Sequence, residues 1–248
     1  MTSTTPRIGM VAITKHGAAQ LATLAPQLPE ANIIVSEKFA KTMQGLSNKV
    51  NVYSGALRAQ MAGLFEDYDQ IVFFISLGAV VRLIAPHLKS KDEDPGVLVV
   101  DDAAEFVIPV LSGHIGGANA YAEQLAEFLQ AKAVLTTASD VGKTIPVDIL
   151  GREFGWKVEA PKINITRVSA HVVNEEPIAF IQECGETNWW TRPTPLPKNI
   201  HLFKHFDEVD LKHHKAILWV TQQDIPLTLW QELEERLVVY RPTTGTSK

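Results

Sequence analysis

Short apolar runs alternate with helix-period segments along the first half of the chain. Ile8 to Ile13 is an apolar run followed by Lys15-His16-Gly17 and then by Ala18 to Leu28, which reads as strand, loop and helix. The pattern repeats. Ile33 to Val35 and Val50 to Tyr53 read as strands, Ala56 to Phe65 as a helix, and Gln70 to Ser76 as a buried strand leading into a helix over Leu77 to Leu88. Val80, Val81, Ile84 and Leu88 recur at helical spacing in that segment and are expected to face the core. Val97 to Val100 and Phe106 to Val110 read as neighbouring strands. Ala118 to Leu129 reads as an amphipathic helix with Tyr121, Leu125 and Phe128 on one stripe, and Ala133 to Thr136 as a further strand.

This alternation predicts an α/β fold, a mainly parallel sheet with helices on both faces and functional loops at the strand C-termini. After Pro146 the rhythm changes. A short helix near Val147 to Phe154, a helix over Ile165 to Val173 and strands at Ile178 to Gln182 and Ala216 to Thr221 predict a smaller second α/β domain. The boundary is placed near residue 145, giving domains 1–145 and 146–248. Thr187 to Asn199, rich in proline and polar residues, reads as an excursion between two strands, and Pro242 to Lys248 as a frayed end.

Composition narrows the function classes. With 46% hydrophobic residues, 248 residues can bury a substantial core, and a net charge of −5 argues against a general nucleic-acid binder. A single cysteine, Cys184, excludes an intramolecular disulfide and a thiolate-clustered metal. The polar start lacks a secretory pattern, and no apolar run approaches the roughly 20 residues that span a bilayer. A cytoplasmic protein without nucleic-acid or membrane partners is expected.

The candidate chemistry lies in Leu111-Ser112-Gly113-His114-Ile115-Gly116-Gly117-Ala118-Asn119. A glycine-rich turn between a strand and a helix places backbone N–H groups at a helix N-terminus, where an anion can bind. Its glycines admit close approach of a ligand, and His114 can serve as base or acid near neutrality. Asn119 adds a directed amide. These are parts for polarising a carboxyl or lactone carbonyl and activating water. A packing turn of the same composition needs no ligand at all. The stretch lacks the Lys-Ser/Thr ending of a phosphate-binding loop and the GxGxxG dinucleotide pattern.

Several segments, in order, carry a family resemblance. Ser76-Leu77-Gly78-Ala79-Val80-Val81-Arg82-Leu83-Ile84-Ala85-Pro86, Asp94-Pro95-Gly96-Val97-Leu98-Val99-Val100-Asp101, Phe106-Val107-Ile108-Pro109-Val110, the LSGHIGGAN turn and Thr136-Thr137-Ala138-Ser139-Asp140 resemble the N-terminal domain of the cobalt-precorrin-5A hydrolase family, the cobalamin biosynthesis protein CbiG. Val172-Val173-Asn174 and Pro177 to Glu183 resemble that family's central domain. The resemblance implies an enzyme of anaerobic cobalamin biosynthesis that hydrolyses the ring lactone of cobalt-precorrin-5A, releasing acetaldehyde and giving cobalt-precorrin-5B. It implies no cofactor, cobalt arriving only within the tetrapyrrole substrate.

For that reaction His114 is expected as the general base, Asp140 or Asp101 as the group that orients it or handles a proton, and Gly113, Gly116, Gly117 and Asn119 as the substrate-binding turn. Lys15-His16-Gly17 is a further candidate for the same cleft. Arg82 and Lys91 are expected to meet substrate carboxylates. Family members continue beyond an arginine-proline pair like Arg241-Pro242 into a C-terminal domain. The alternative expectation is therefore a non-catalytic component that binds the corrinoid intermediate, partnered by a separately encoded C-terminal domain or by neighbouring pathway enzymes. His201 and His205 have a four-residue spacing and His213-His214 follow, but without a helix to present them no metal site is expected. Trp189 and Trp190 are expected as packing anchors rather than a stacking surface for the tetrapyrrole.

Overall fold

The computed structural model describes residues 6–243; the expected frayed end, from residue 244 onward, and the polar start up to residue 5 lie outside the described residues. The chain divides into two compact units, residues 1–135 and 136–248.

The first unit is built on a seven-stranded sheet in the order β3-β2-β1-β4-β5-β6-β7. Its strands are β1 (Ile8–Ala12), β2 (Asn32–Ser36), β3 (Val50–Tyr53), β4 (Gln70–Phe74), β5 (Gly96–Val100), β6 (Phe106–Leu111) and β7 (Lys132–Ala133). β1 to β5 run parallel to one another, β6 runs antiparallel to β5, and β7 is parallel to β6. Four helices cover it: α1 (Lys15–Leu24), α2 (Met61–Asp67), α3 (Leu77–Ile84) and α4 (Ala118–Leu129).

The continuous apolar runs follow from burial on both faces. Side chains alternate along a strand, so Met10, Val72 and Leu98 meet Leu21 and Leu24 of α1 and Leu125 of α4 on one face. Val11, Ile71, Phe73 and Val97 meet Met61 and Leu64 of α2 and Val80 and Ile84 of α3 on the other. Not all of the helical spacing expected over Leu77 to Leu88 is core. Val80 and Ile84 are buried, whereas Val81 and Leu88 are about half exposed, at 48% and 46%. The α-helix stops at Ile84 and a 3-10 turn carries Ala85–His87, because Pro86 cannot continue the helical hydrogen bonds.

The second unit is a five-stranded sheet in the order β10-β9-β11-β12-β8. Its strands are β8 (Lys157–Glu159), β9 (Ile178–Gln182), β10 (Ile200–Phe203), β11 (Ala216–Val220) and β12 (Leu237–Arg241), accompanied by α5 (Ala138–Val141), α6 (Lys162–Val173) and α7 (Leu227–Leu233). All strands but β8 are parallel. Phe180, Leu218 and Tyr240 pack with Val168 and Val172 of α6 on one face. Ile181, Trp219 and Val239 pack with Leu233 of α7 on the other.

The Thr187–Asn199 excursion is ordered by its tryptophans. Trp189 is buried, stacks on Phe180 with centroids 4.2 Å apart, and donates its Nε1–H to Gln182 Oε1 at 3.0 Å. Trp190 Nε1–H donates to the Thr194 carbonyl at 2.6 Å. Both are packing anchors, as their residue type predicts.

Candidate active site

The antiparallel direction of β6 decides where the LSGHIGGAN turn lies. Val97 pairs with Leu111 and Val100 with Val107, so the turn after Leu111 emerges beside the start of β5. It therefore lies at the N-terminal edge of the parallel strands, not at their C-terminal edge, where the loops of such sheets usually carry function. The signal was in the chain. Only the residues 101–105 join β5 to β6, and a parallel pair needs a crossover of about a dozen residues or more.

Two contacts strap the turn to this edge, and a third shapes the loop that one of them reaches. Ser112 Oγ donates to the Asp94 carbonyl at 2.9 Å, and Gln70 Nε2, from the start of β4, donates to the Gly116 carbonyl. Asp94 in turn accepts the Lys89 backbone N–H at 3.0 Å, holding the loop before β5 in shape. The sequence assigns Ser112, Gln70 and Asp94 no role of their own beyond the motifs and the strand that contain them, because each acts through backbone partners brought near only by the sheet.

Inside the turn the glycines serve protein contacts. A Cβ on Gly116 would fall 2.5 Å from Ser112 Cβ and 2.7 Å from the Ser112 carbonyl oxygen. A Cβ on Gly113 would fall 2.5 Å from Asn119 Oδ1. The faces expected to admit a ligand at Gly113 and Gly116 are thus filled by the chain itself, and Asn119 is buried against the turn. Gly117 adopts φ +78° as the residue preceding α4, a conformation open to glycine at no steric cost. Ser112 takes a left-handed φ of +53° without that freedom.

The turn also caps its own helix. Gly117 N–H donates to the His114 carbonyl at 3.0 Å, Ala118 N–H to Ser112 at 3.3 Å and Asn119 N–H to Gly113 at 3.0 Å. The expected row of backbone donors awaiting an anion is therefore largely spent: carbonyls of residues 112–114 satisfy groups that a helix N-terminus otherwise leaves open. What the turn presents is a partly buried His114 in a backbone frame fixed from both sides.

The remaining candidates distribute as follows. Lys91 is exposed in the loop preceding β5, on the same edge as the turn. Asp101 follows β5 and lies at the opposite edge, about five strand residues or roughly 16 Å away. Its carboxylate is engaged locally, accepting Phe106 N–H at 2.7 Å and Ala103 N–H at 3.2 Å. Asp101 shapes the β5–β6 connection and does not orient His114. Lys15 and His16 begin α1 after β1, also on the opposite edge from His114, so they do not share its cleft. Gly17 fits there because a Cβ would meet the Phe74 carbonyl oxygen at 2.3 Å, which makes it a helix-to-strand packing residue. Arg82 is exposed on α3 and donates to the Gly78 carbonyl of its own helix at 2.8 Å. Asp140 belongs to the second unit, where Arg192 Nη2 pairs with its Oδ1 at 2.8 Å.

These features define an α/β protein of two open sheets whose distinguishing element is a self-capped, histidine-bearing turn on the first. Residues 59–140 match the family profile described as cobalamin synthesis G N-terminal, and residues 145–242 match the cobalamin biosynthesis central region. The chain belongs to the cobalamin biosynthesis protein G family. It is 45% identical to a cobalt-precorrin-5A hydrolase of Priestia megaterium over 94% of this chain and 62% of that protein. A protein of the same name from Salmonella typhimurium is 30% identical over 74% of this chain and 48% of that protein. The chain thus spans about half to three-fifths of these relatives' length. The crystal structure of a cobalamin biosynthesis protein G homolog from Sulfolobus solfataricus has the same fold, with a TM-score of 0.50 and 20% identity over 95% of this chain and 60% of that one. Among the described residues no helix is long and apolar enough to cross a membrane.

Proposed function

We propose that this chain opens the ring lactone of cobalt-precorrin-5A, leading to cobalt-precorrin-5B with release of a two-carbon fragment as acetaldehyde. The observation that supports it most directly is a titratable imidazole, His114, held in a rigid backbone turn, in a chain whose relatives bear the name of that hydrolase. In this reading cobalt enters as part of the substrate.

Water adds to the lactone carbonyl carbon, the bond from that carbon to the ring oxygen breaks, and the oxygen leaves as a hydroxyl; loss of that hydroxyl's proton then makes the carbon bearing it an aldehyde carbonyl, as its bond to the macrocycle breaks and leaves the electron pair on the macrocycle. His114 takes the proton from the attacking water and returns one to the departing oxygen. General acid–base help of this kind is worth about 10²- to 10⁴-fold. Lys91, exposed on the same edge, faces the carboxylate side chains of the substrate as a mobile cation. Asp101 and Gly117 N–H take no part, being committed to local structure.

The test is acetaldehyde release from cobalt-precorrin-5A by the purified chain, with His114→Asn beside it. At least a 100-fold loss of kcat in the variant is expected, and full turnover by it removes the proposed base. Wild-type chain that binds the substrate yet releases no acetaldehyde favours the second reading, a corrinoid-binding component acting with another polypeptide.

A further inference from the structure

The second unit brings His201 to the adjacent pair His213-His214. His201 sits on β10, and His213-His214 end the connection that leads into β11. Their ligand nitrogens all lie within 4.8 Å of one another. The four-residue spacing of His201 and His205 is not what matters, since β10 is a strand that ends at Phe203 and His205 lies outside the cluster.

The spacing of the rings approaches that of a coordination set. Their centroids are 5.8 Å apart for His201 and His213, 5.1 Å for His201 and His214, and 5.0 Å for His213 and His214. Metal–nitrogen bonds of about 2.0–2.1 Å at tetrahedral angles place imidazole centroids roughly 5 Å apart. His214 is 3% exposed, His201 is partly buried and His213 is exposed, so the set has an inner anchor and a side open to solvent.

The surroundings hold one ligand in its binding tautomer. His214 Nδ1 lies 2.9 Å from the Asp210 carbonyl oxygen, which can only accept, so Nδ1 carries the proton and Nε2 presents a lone pair. That lone pair accepts the His201 Nδ1–H across 2.9 Å, so an ion bound here would take the place of the proton between the two nitrogens. The loop itself is clamped: Asp210 Oδ1 accepts the Lys212 N–H at 2.9 Å, and the Arg236 guanidinium donates to the carbonyls of Leu211, His214 and Lys215.

We propose that His201, His213 and His214 form a binding site for a late first-row divalent transition ion, with Zn²⁺ or Co²⁺ as the fitting class. Neutral imidazoles without thiolate or carboxylate select such ions over Mg²⁺ or Ca²⁺. Three protein nitrogens leave a fourth position for water or a further ligand.

The site is tested on untagged, chelator-stripped chain by titration with Co²⁺, read from its visible absorption, followed by Zn²⁺ competition. One ion per chain is expected. His213→Ala, at an exposed position that leaves the fold intact, and His201→Gln each weaken binding by at least about tenfold, the lower end of what even an outer partner is worth. His205→Ala binds as wild type. Absence of saturable binding, or affinities for both variants equal to wild type, overturns the proposal. Circular dichroism of each variant separates a lost ligand from a lost fold.

Discussion

The Ser112 hydroxyl donates to the main-chain carbonyl of Asp94 across 2.9 Å, joining the histidine-bearing turn to the loop that opens β5. The bond is partly buried, and Ser112 holds it from a left-handed φ of +53°. Replacing Ser112 with alanine keeps the strained backbone and removes the donor. A loss of about 1 kcal/mol in unfolding free energy is expected, from urea denaturation. Because the same bond fixes the turn, the proposed acetaldehyde release should fall more than stability alone explains. Unchanged turnover in Ser112→Ala would show that the strap is merely structural.

Two glycine-to-alanine substitutions should move stability in opposite directions. Gly116→Ala drives a methyl to 2.5 Å from Ser112 Cβ and 2.7 Å from a backbone oxygen, an overpacking that costs about 1–3 kcal/mol. Gly63→Ala sits within α2 with no atom inside 4 Å of the added carbon. There the methyl removes backbone freedom from the unfolded chain, and about 0.4–1 kcal/mol of added stability is expected. Thermal unfolding of the pair reads both signs, and equal shifts would contradict the close contact at Gly116.

Much of the first sheet was legible from apolar runs, because β1, β4 and β5 are buried on both faces and read as uninterrupted hydrophobic segments. The edge on which the turn lies required the direction of β6, which follows from a five-residue connection rather than from any motif. The self-capping of the turn was not legible, since the same glycines serve equally a ligand and a close backbone packing. The histidine set was hidden for a different reason. His201 is brought to His214 because β10 and β11 lie on either side of β9, an order that spacing along the chain does not encode.

The Arg7–Asp69 pair supplies a pH-dependent term. Arg7 donates from both its guanidinium and its backbone N–H to Asp69, at 2.9 Å each, and these hydrogen bonds hold the Asp69 carboxyl below its ordinary range. A carboxyl lowered on folding stabilises the protein above its unfolded pKa of about 3.9, and the gain is lost as pH falls through the lower folded value. Both side chains are about half exposed, at 58% and 49%, so the term stays below about 1 kcal/mol at neutral pH. Asp69→Asn should therefore unfold slightly earlier at pH 7 and converge with wild type in strong acid. A gap that persists undiminished at the acid end would assign the effect to packing.

Asn164 ties the second unit together more firmly. Only 2% exposed on α6, its Nδ2 donates at 2.9 Å to the Glu234 carbonyl and at 2.9 Å to the Leu237 carbonyl at the start of β12. One acceptor lies in the link from α7 and the other begins that strand, so one amide registers helix, turn and sheet. Asn164→Ala leaves a buried carbonyl without its donor, and the cost of such a group is about 1–3 kcal/mol. Asn164→Asp is the sharper probe, since a carboxylate cannot donate and would face two carbonyl oxygens in a buried position. It should be the more destabilising of the two by denaturant midpoint at pH 7, with the difference narrowing as pH falls and the carboxyl regains a proton to donate. If alanine proves the worse substitution, packing volume rather than hydrogen bonding is what Asn164 contributes.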